Sequence, residues 1–169
     1  MNPTHLHLML THFPIVGTII GIGFLSYGQL TKSDDIKKAA LATFVLMAIL
    51  TIPVFLTGNE AEETVENLAG VSEQVIENHE ELAEKAVWLM GLLGILSAIN
   101  FFVILKKMSI AHTLSLITLV TSLGTFALFA KVGNEGGKIR HTELTISEIN
   151  NPNGVYNKGD GRADEEDND

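Results

Sequence analysis

The side chains best suited to chemistry in this chain are its histidines. Six occur: His5, His7, His12, His79, His112 and His141. Imidazole is the commonest metal ligand and a standard axial ligand of haem iron. Helical bundles build such sites from inward-pointing residues on facing helices. In a four-helix meander, five of these histidines fall at one end and only His112 falls at the other. A lone histidine at a helix end is read as an interface residue, and His5 and His112 take that reading. His7, His12, His79 and His141 remain as the candidate cofactor-binding and metal-ligating set. The expected metal is haem iron, with copper or zinc as the alternative. His7 and His12 are five apart, so on a helix they point about 140° apart. That suits two cofactors, or one ligand and one supporting residue, better than one mononuclear site.

Other chemistries lack residues. The chain has no cysteine, which removes disulfides, iron–sulfur ligation, a thiolate nucleophile and covalently attached c-type haem. A zinc site would need histidine and carboxylate alone. Nothing resembles a serine–histidine–carboxylate order, a glycine-rich phosphate loop or a zinc-protease helix. A net charge of −9 argues against a nucleic-acid surface. Met9 and Met90 are read as apolar filler and not as thioether ligands.

The elements that must position the histidines are four apolar runs. The chain of 169 residues is 46% hydrophobic and 18% charged, with a mean hydropathy of +0.27. That leans towards a membrane protein. The runs Phe13 to Leu30, Ala39 to Thr57, Ala86 to Leu105 and Ile110 to Ala130 carry no charge. Each is long enough to cross the hydrocarbon core as a helix, and backbone in lipid must satisfy its own hydrogen bonds. The expected fold is all-α: a bundle of four transmembrane helices arranged as two hairpins, with helices at about 3–30, 34–57, 73–107 and 110–131. One domain covers 1–145. A disordered acidic tail covers 146–169, rich in glycine and polar residues and interrupted by Pro152.

Local signals agree with these bounds. Asn2 can cap the first helix, with Pro3 in its first turn. The three histidines and absent basic segment before its apolar part argue against a cleavable signal peptide. Pro14 kinks this helix if it starts at Pro3, and lies in its first turn if it starts near Thr11. Ser33 caps the second helix ahead of Asp34 and Asp35, and Ser72 caps the third.

The short loops carry Lys32, Lys37, Lys38, Lys106 and Lys107, all on one side of the meander. The positive-inside rule therefore predicts cytoplasmic lysine loops and periplasmic termini in a bacterial inner membrane. Lys131, Lys138 and Arg140 soften that bias. The 58–85 connection is rich in glutamate and reads as an amphipathic helix with a solvated face. Such an acidic surface could steer a basic redox partner such as a cytochrome c.

Two further patterns concern the site. Thr57-Gly58-Asn59-Glu60 and Val132-Gly133-Asn134-Glu135 follow the second and fourth helices, and the first and third each bring histidine to the same end. This pattern is that of two repeated hairpins, with His12 and His79 on facing helices. Gly17, Gly21, Gly91 and Gly94 either pack helices closely or open space for a porphyrin, and packing is the commoner use.

The segment His7-Leu-Met-Leu-Thr-His12-Phe13-Pro14-Ile15 resembles the opening motif of an uncharacterised bacterial membrane family, domain-of-unknown-function family 2231. That motif reads His-Pro-x-x-x-His-Phe-Pro-Ile, and Leu8 stands where the family usually has proline. Gly136-Gly137-Lys-Ile-Arg140-His141 is similar to the family's Gly-Gly-x-x-x-His motif, and His79 matches its histidine before the third helix. The resemblance covers about residues 5 to 145. It implies a four-helix membrane fold and supports His7, His12, His79 and His141 as a set. Some members are fused to Rieske-type iron–sulfur domains, which points to electron transfer.

Together these readings predict a membrane-embedded b-type haem protein, with one or two haems, acting as an electron-transfer subunit of a larger redox complex. His12 with His79 is the first expected axial pair, and His7 with His141 the second. The expected partners are the lipid bilayer, other membrane redox subunits or a periplasmic cytochrome c, and no nucleic acid; a homo-oligomer is left open. The alternatives are a copper or zinc protein using the same histidines with Glu80 or Glu81, and a non-catalytic scaffold subunit.

Overall fold

The structure, a computed structural model, describes the backbone of residues 3–66 and 73–150 and the side chains of residues 5–62 and 73–138. The described residues form four helices: α1 (Pro3–Leu30), α2 (Asp34–Glu66), α3 (Glu73–Leu105) and α4 (Ala111–Asn150). All four are long and apolar enough to cross a membrane. Consecutive helices pack side by side, and α1 meets α4 in the thinnest of the four contacts, closing the bundle. Only a narrow stripe of each helix is buried, while Leu30, Trp88 and Val120 are among many large apolar side chains left outside. A surface of that kind matches hydrocarbon as its solvent, and the chain is read as a multi-pass membrane protein.

The buried stripe mixes a small apolar core with hydroxyls. Leu25, Phe44, Met47, Met90, Leu93 and Phe129 form the centre. A Cβ added at Gly17 would strike Met47, one at Gly21 would strike Phe44, and one at Gly94 would strike Ala48. These three glycines therefore serve helix packing. Buried Thr18, Thr51, Thr118 and Thr125 donate their hydroxyl protons to the carbonyl four residues back. A helix carries such side chains into lipid cheaply, because the donor is satisfied without leaving the helix. Between helices, Asn100 Nδ2 donates to Ser115 Oγ at 3.0 Å.

Both short turns end their helices in the same way. Lys32 (φ 56°) and Lys107 (φ 52°) adopt the left-handed conformation. Ser33 N donates to Gly28 O and Lys32 N to Gln29 O; Met108 N donates to Val103 O and Lys107 N to Ile104 O. This is the Schellman closure, which usually places glycine at the left-handed position.

The first helix runs from Pro3 to Leu30 as expected, so Pro14 lies well inside it. Other bounds differ from expectation. The helix α2 continues past 57 to Glu66, and α4 continues past 131 to Asn150. The apolar runs mark where lipid ends, whereas the helix ends where its backbone partners do. Residues 58–66 hold four glutamates and Ala61, good helix formers that sustain the helix in water. Residues 146–150, expected in the tail, are thus helical; the rest of that tail lies outside the described residues. Gly58 and Gly133 are interior helix residues, not caps.

Candidate functional site

The antiparallel packing brings the start of α1 against the end of α2, and the start of α3 against the end of α4. At each meeting point stands a histidine. His7 Nδ1 lies 3.0 Å from Val54 O, and His79 Nδ1 lies 3.1 Å from Val132 O. A carbonyl can only accept, so both Nδ1 atoms carry the proton and both Nε2 atoms keep a lone pair. The carbonyls belong to helices, and each is four residues before a glycine. That glycine makes room for the ring: a Cβ on Gly58 would sit 3.1 Å from His7 Cε1, and one on Gly136 would sit 3.0 Å from His79 Cε1.

The two arrangements are alike in every part: helix-start histidine, neighbouring-helix carbonyl, glycine one turn later. In both, the Cβ position lies closer to Cε1 and Nδ1 than to Nε2. Both imidazoles line one cavity of about 390 Å³ at this end of the bundle, within the usual range of ligand pockets. All four helices contribute to its walls. Apolar surface predominates, from Pro14, Ile15, Phe55, Ile76, Ala83 and Phe129, while Thr51, Glu62 and Glu80 also reach it.

The remaining expected residues fall as follows. His12 also lines the cavity, but it is exposed and its Nδ1 donates to Leu8 O of its own helix at 2.7 Å. The position equivalent to His79 is therefore that of His7, more than a turn before His12. His141 lies in α4 five residues beyond Gly136, and its side chain is outside the described residues. Glu81 pairs with Lys85 at 2.6 Å and is not a wall residue. Among the described residues, no group of three or more His, Asp or Glu side chains is placed to hold a metal ion.

Gly136 and the carbonyls of Val54 and Val132 were not singled out in the sequence as partners of histidine. The Gly-Asn-Glu triplets pointed to Gly58 and Gly133, yet Gly133 has open space where its Cβ would be. The reason is a difference in arm length. His79 lies three residues farther from Lys107 than His7 does from Lys32, and Gly136 lies three farther than Gly58. Alignment on the turns is therefore one helical turn out at the histidines. No family model, no curated protein and no solved structure matches the chain.

Proposed function

We propose that the cavity binds a b-type haem, whose iron Nε2 of His7 and Nε2 of His79 would hold, and that the protein carries electrons in the membrane. One observation carries this reading: two like-built histidines on α1 and α3, each with Nδ1–H anchored to a carbonyl of the next helix, line one mainly apolar cavity. Anchoring at Nδ1 selects the tautomer whose Nε2 can ligate, and it holds the ring so that little freedom is lost on binding.

The donor set fits haem better than a bare metal ion. A porphyrin brings four of the iron's six ligands, so two imidazoles suffice. Zinc needs three or four protein ligands close together, a grouping not found among the described residues. Haem bound at two imidazoles supplies a one-electron carrier with no open coordination position, which favours electron transfer over oxygen chemistry. The residues of this chain do the rest. Val54 and Val132 orient the rings, Gly58 and Gly136 admit them, and the apolar walls keep water from the site. His12 is a wall residue in this reading, and the matched hairpins represent an internal repeat whose second copy has longer arms.

The lysine turns lie at the end away from the cavity. By the positive-inside rule they face the cytoplasm, which places the haem near the periplasmic face of an inner membrane. A role as a subunit of a larger redox complex accords with the resemblance to family 2231.

The test is the absorption spectrum of detergent-purified protein made with haem supplied. A reducible, low-spin, bis-imidazole spectrum at one haem per chain is expected. Protein that never takes up haem, or that keeps a full low-spin spectrum as His7→Ala and as His79→Ala, overturns the assignment.

A further inference from the structure

The walls of the histidine cavity repeat from one hairpin to the other except at one corner. Counted from His7 and His79, every wall residue of α1 save His12 has a wall residue of α3 at the same spacing. The counterpart of His12 is Glu84, which is not on the wall. Counted from Gly58 and Gly136, the described wall residues of α4 match those of α2 in the same way, with Gly133 in the place of Phe55. Phe55 lies two turns along α2 from Ala48, which faces Gly94 of α3. Its ring therefore stands at the corner between α2 and α3.

The corresponding corner, between α4 and α1, has no ring. Gly133 has nothing within 4 Å of its Cβ position, and neither has Gly137 one turn farther out. His12 is on the facing side of α1. It stands five residues before Gly17, which packs on Met47 of α2, so it points about 140° away from α2 and onto the flank shared with α4. His12 and Gly133 both line the cavity and both are exposed. A glycine has no side chain to span from an inner to an outer surface, so the wall is open beside it. At the α2–α3 corner the exposed wall residues are Asn59 and Glu80, which are polar and one helical turn nearer the end of the bundle. His12 and Gly133 instead lie within a turn of Phe13 and Ala130, where the charge-free runs end. The opening between α1 and α4 is thus at the edge of lipid. His12 Nδ1 donates to Leu8 O, so its Nε2 keeps a lone pair there.

We propose that this corner is a lateral portal through which haem passes between the bilayer and the cavity, with His12 Nε2 as the group that first meets the iron. The proposal rests on the haem reading. Haem is a flat apolar ring with carboxylates on one edge, and such a molecule settles at the boundary of lipid and water, the level of the opening. An imidazole there can take its iron. A lipid acyl chain has nothing for that lone pair to bind. The other corner suits haem less, because the Glu80 carboxylate stands at its opening and repels the carboxylates of haem.

The haem-free protein in phosphatidylcholine nanodiscs is mixed with haemin, and uptake is followed in the Soret band. Release is followed by transfer to apomyoglobin. A portal sets both rates and leaves the equilibrium between them alone. Gly133→Phe gives this corner the ring that Phe55 gives the other, so it should slow uptake and release alike, by about tenfold, with the final low-spin spectrum unchanged. Gly137→Leu, one turn farther out, should act in the same direction. Both should fold, since both Cβ positions are open and glycine is the poorer helix former; their thermal midpoints check this. Gly124→Phe, at an open position of α4 off the cavity wall, should change neither rate. His12→Ala should slow the uptake of haemin and spare that of metal-free protoporphyrin, read by its fluorescence, which has no iron to meet. Wild-type rates in both Gly133→Phe and Gly137→Leu overturn the portal, as does equal slowing by Gly124→Phe. Unchanged haemin uptake in His12→Ala, or equal slowing of the two porphyrins, overturns the part given to His12. Wild-type protein that takes up no haemin at all fails the haem reading itself, which is a different outcome from uptake at unchanged rates.

Discussion

Gly136 offers a test in which the site and the stability of the fold respond in opposite directions. Glycine inside a helix costs about 0.5–1 kcal/mol relative to alanine. Replacing Gly133, whose Cβ position is open, should therefore stabilise α4 by about that amount. Gly136 gains the same propensity, but its new Cβ meets His79 Cε1 at 3.0 Å. An ordinary contact begins near 3.4 Å, so ring and methyl must separate by a few tenths of an ångström. In Gly136→Ala the ring can tilt, stretching the 3.1 Å bond to Val132 O. In Gly136→Leu the ring is displaced and that bond is lost, at about 0.5–1.5 kcal/mol. Gly133→Ala should thus raise the thermal midpoint and leave haem binding unchanged. Gly136→Ala should raise it less and weaken haem retention. Gly136→Leu should remove the low-spin signal while the protein stays helical. ¹⁵N spectra of the haem-free protein, labelled at histidine, would show the Nδ1–H form of one residue giving way to exchanging tautomers. If Gly136→Leu keeps both the wild-type tautomer and the full haem spectrum, glycine does not seat the histidine and the reasoning fails.

Three further outcomes follow from the same structure. His7→Ala and His79→Ala should each abolish the bis-imidazole spectrum, whereas His12→Ala should keep most of it and His112→Ala all of it; loss in His112→Ala would place a site at the wrong end. The chain has no cysteine, so Ser33→Cys should resist a membrane-impermeant thiol reagent in intact cells and Glu73→Cys should react; the reverse pattern sinks the proposed orientation. Lys32→Gly or Lys107→Gly should stabilise the fold by up to about 1 kcal/mol each, read as a higher unfolding midpoint, because glycine carries no penalty in the left-handed conformation these lysines hold; a fall in both would show that the lysine side chains matter more than the backbone.

Four membrane helices could be read from the residues alone, because lipid imposes one rule on every residue of a span. Charge-free runs of sufficient length must be helical, and the start of α2 follows from local capping by Ser33, whose Oγ accepts from Ile36 N. The far ends of α2 and α4 were not legible in that way. Hydropathy falls at Gly58 and Lys131 while the helix continues, since leaving lipid does not by itself end backbone hydrogen bonding. The clustering of histidine at one end was equally a matter of sequence, since chain direction alternates with each helix. Which histidines match was decided by tertiary packing. His12 has the more conspicuous motif around it, yet it faces a carbonyl of its own helix. His7 meets Val54 and Gly58 across a helix contact more than forty residues away in the chain. The similar triplets at Gly58 and Gly133 could not reveal that the second hairpin has three more residues on each arm. That register depends on how far α3 and α4 slide relative to α1 and α2, and only the packed bundle determines it.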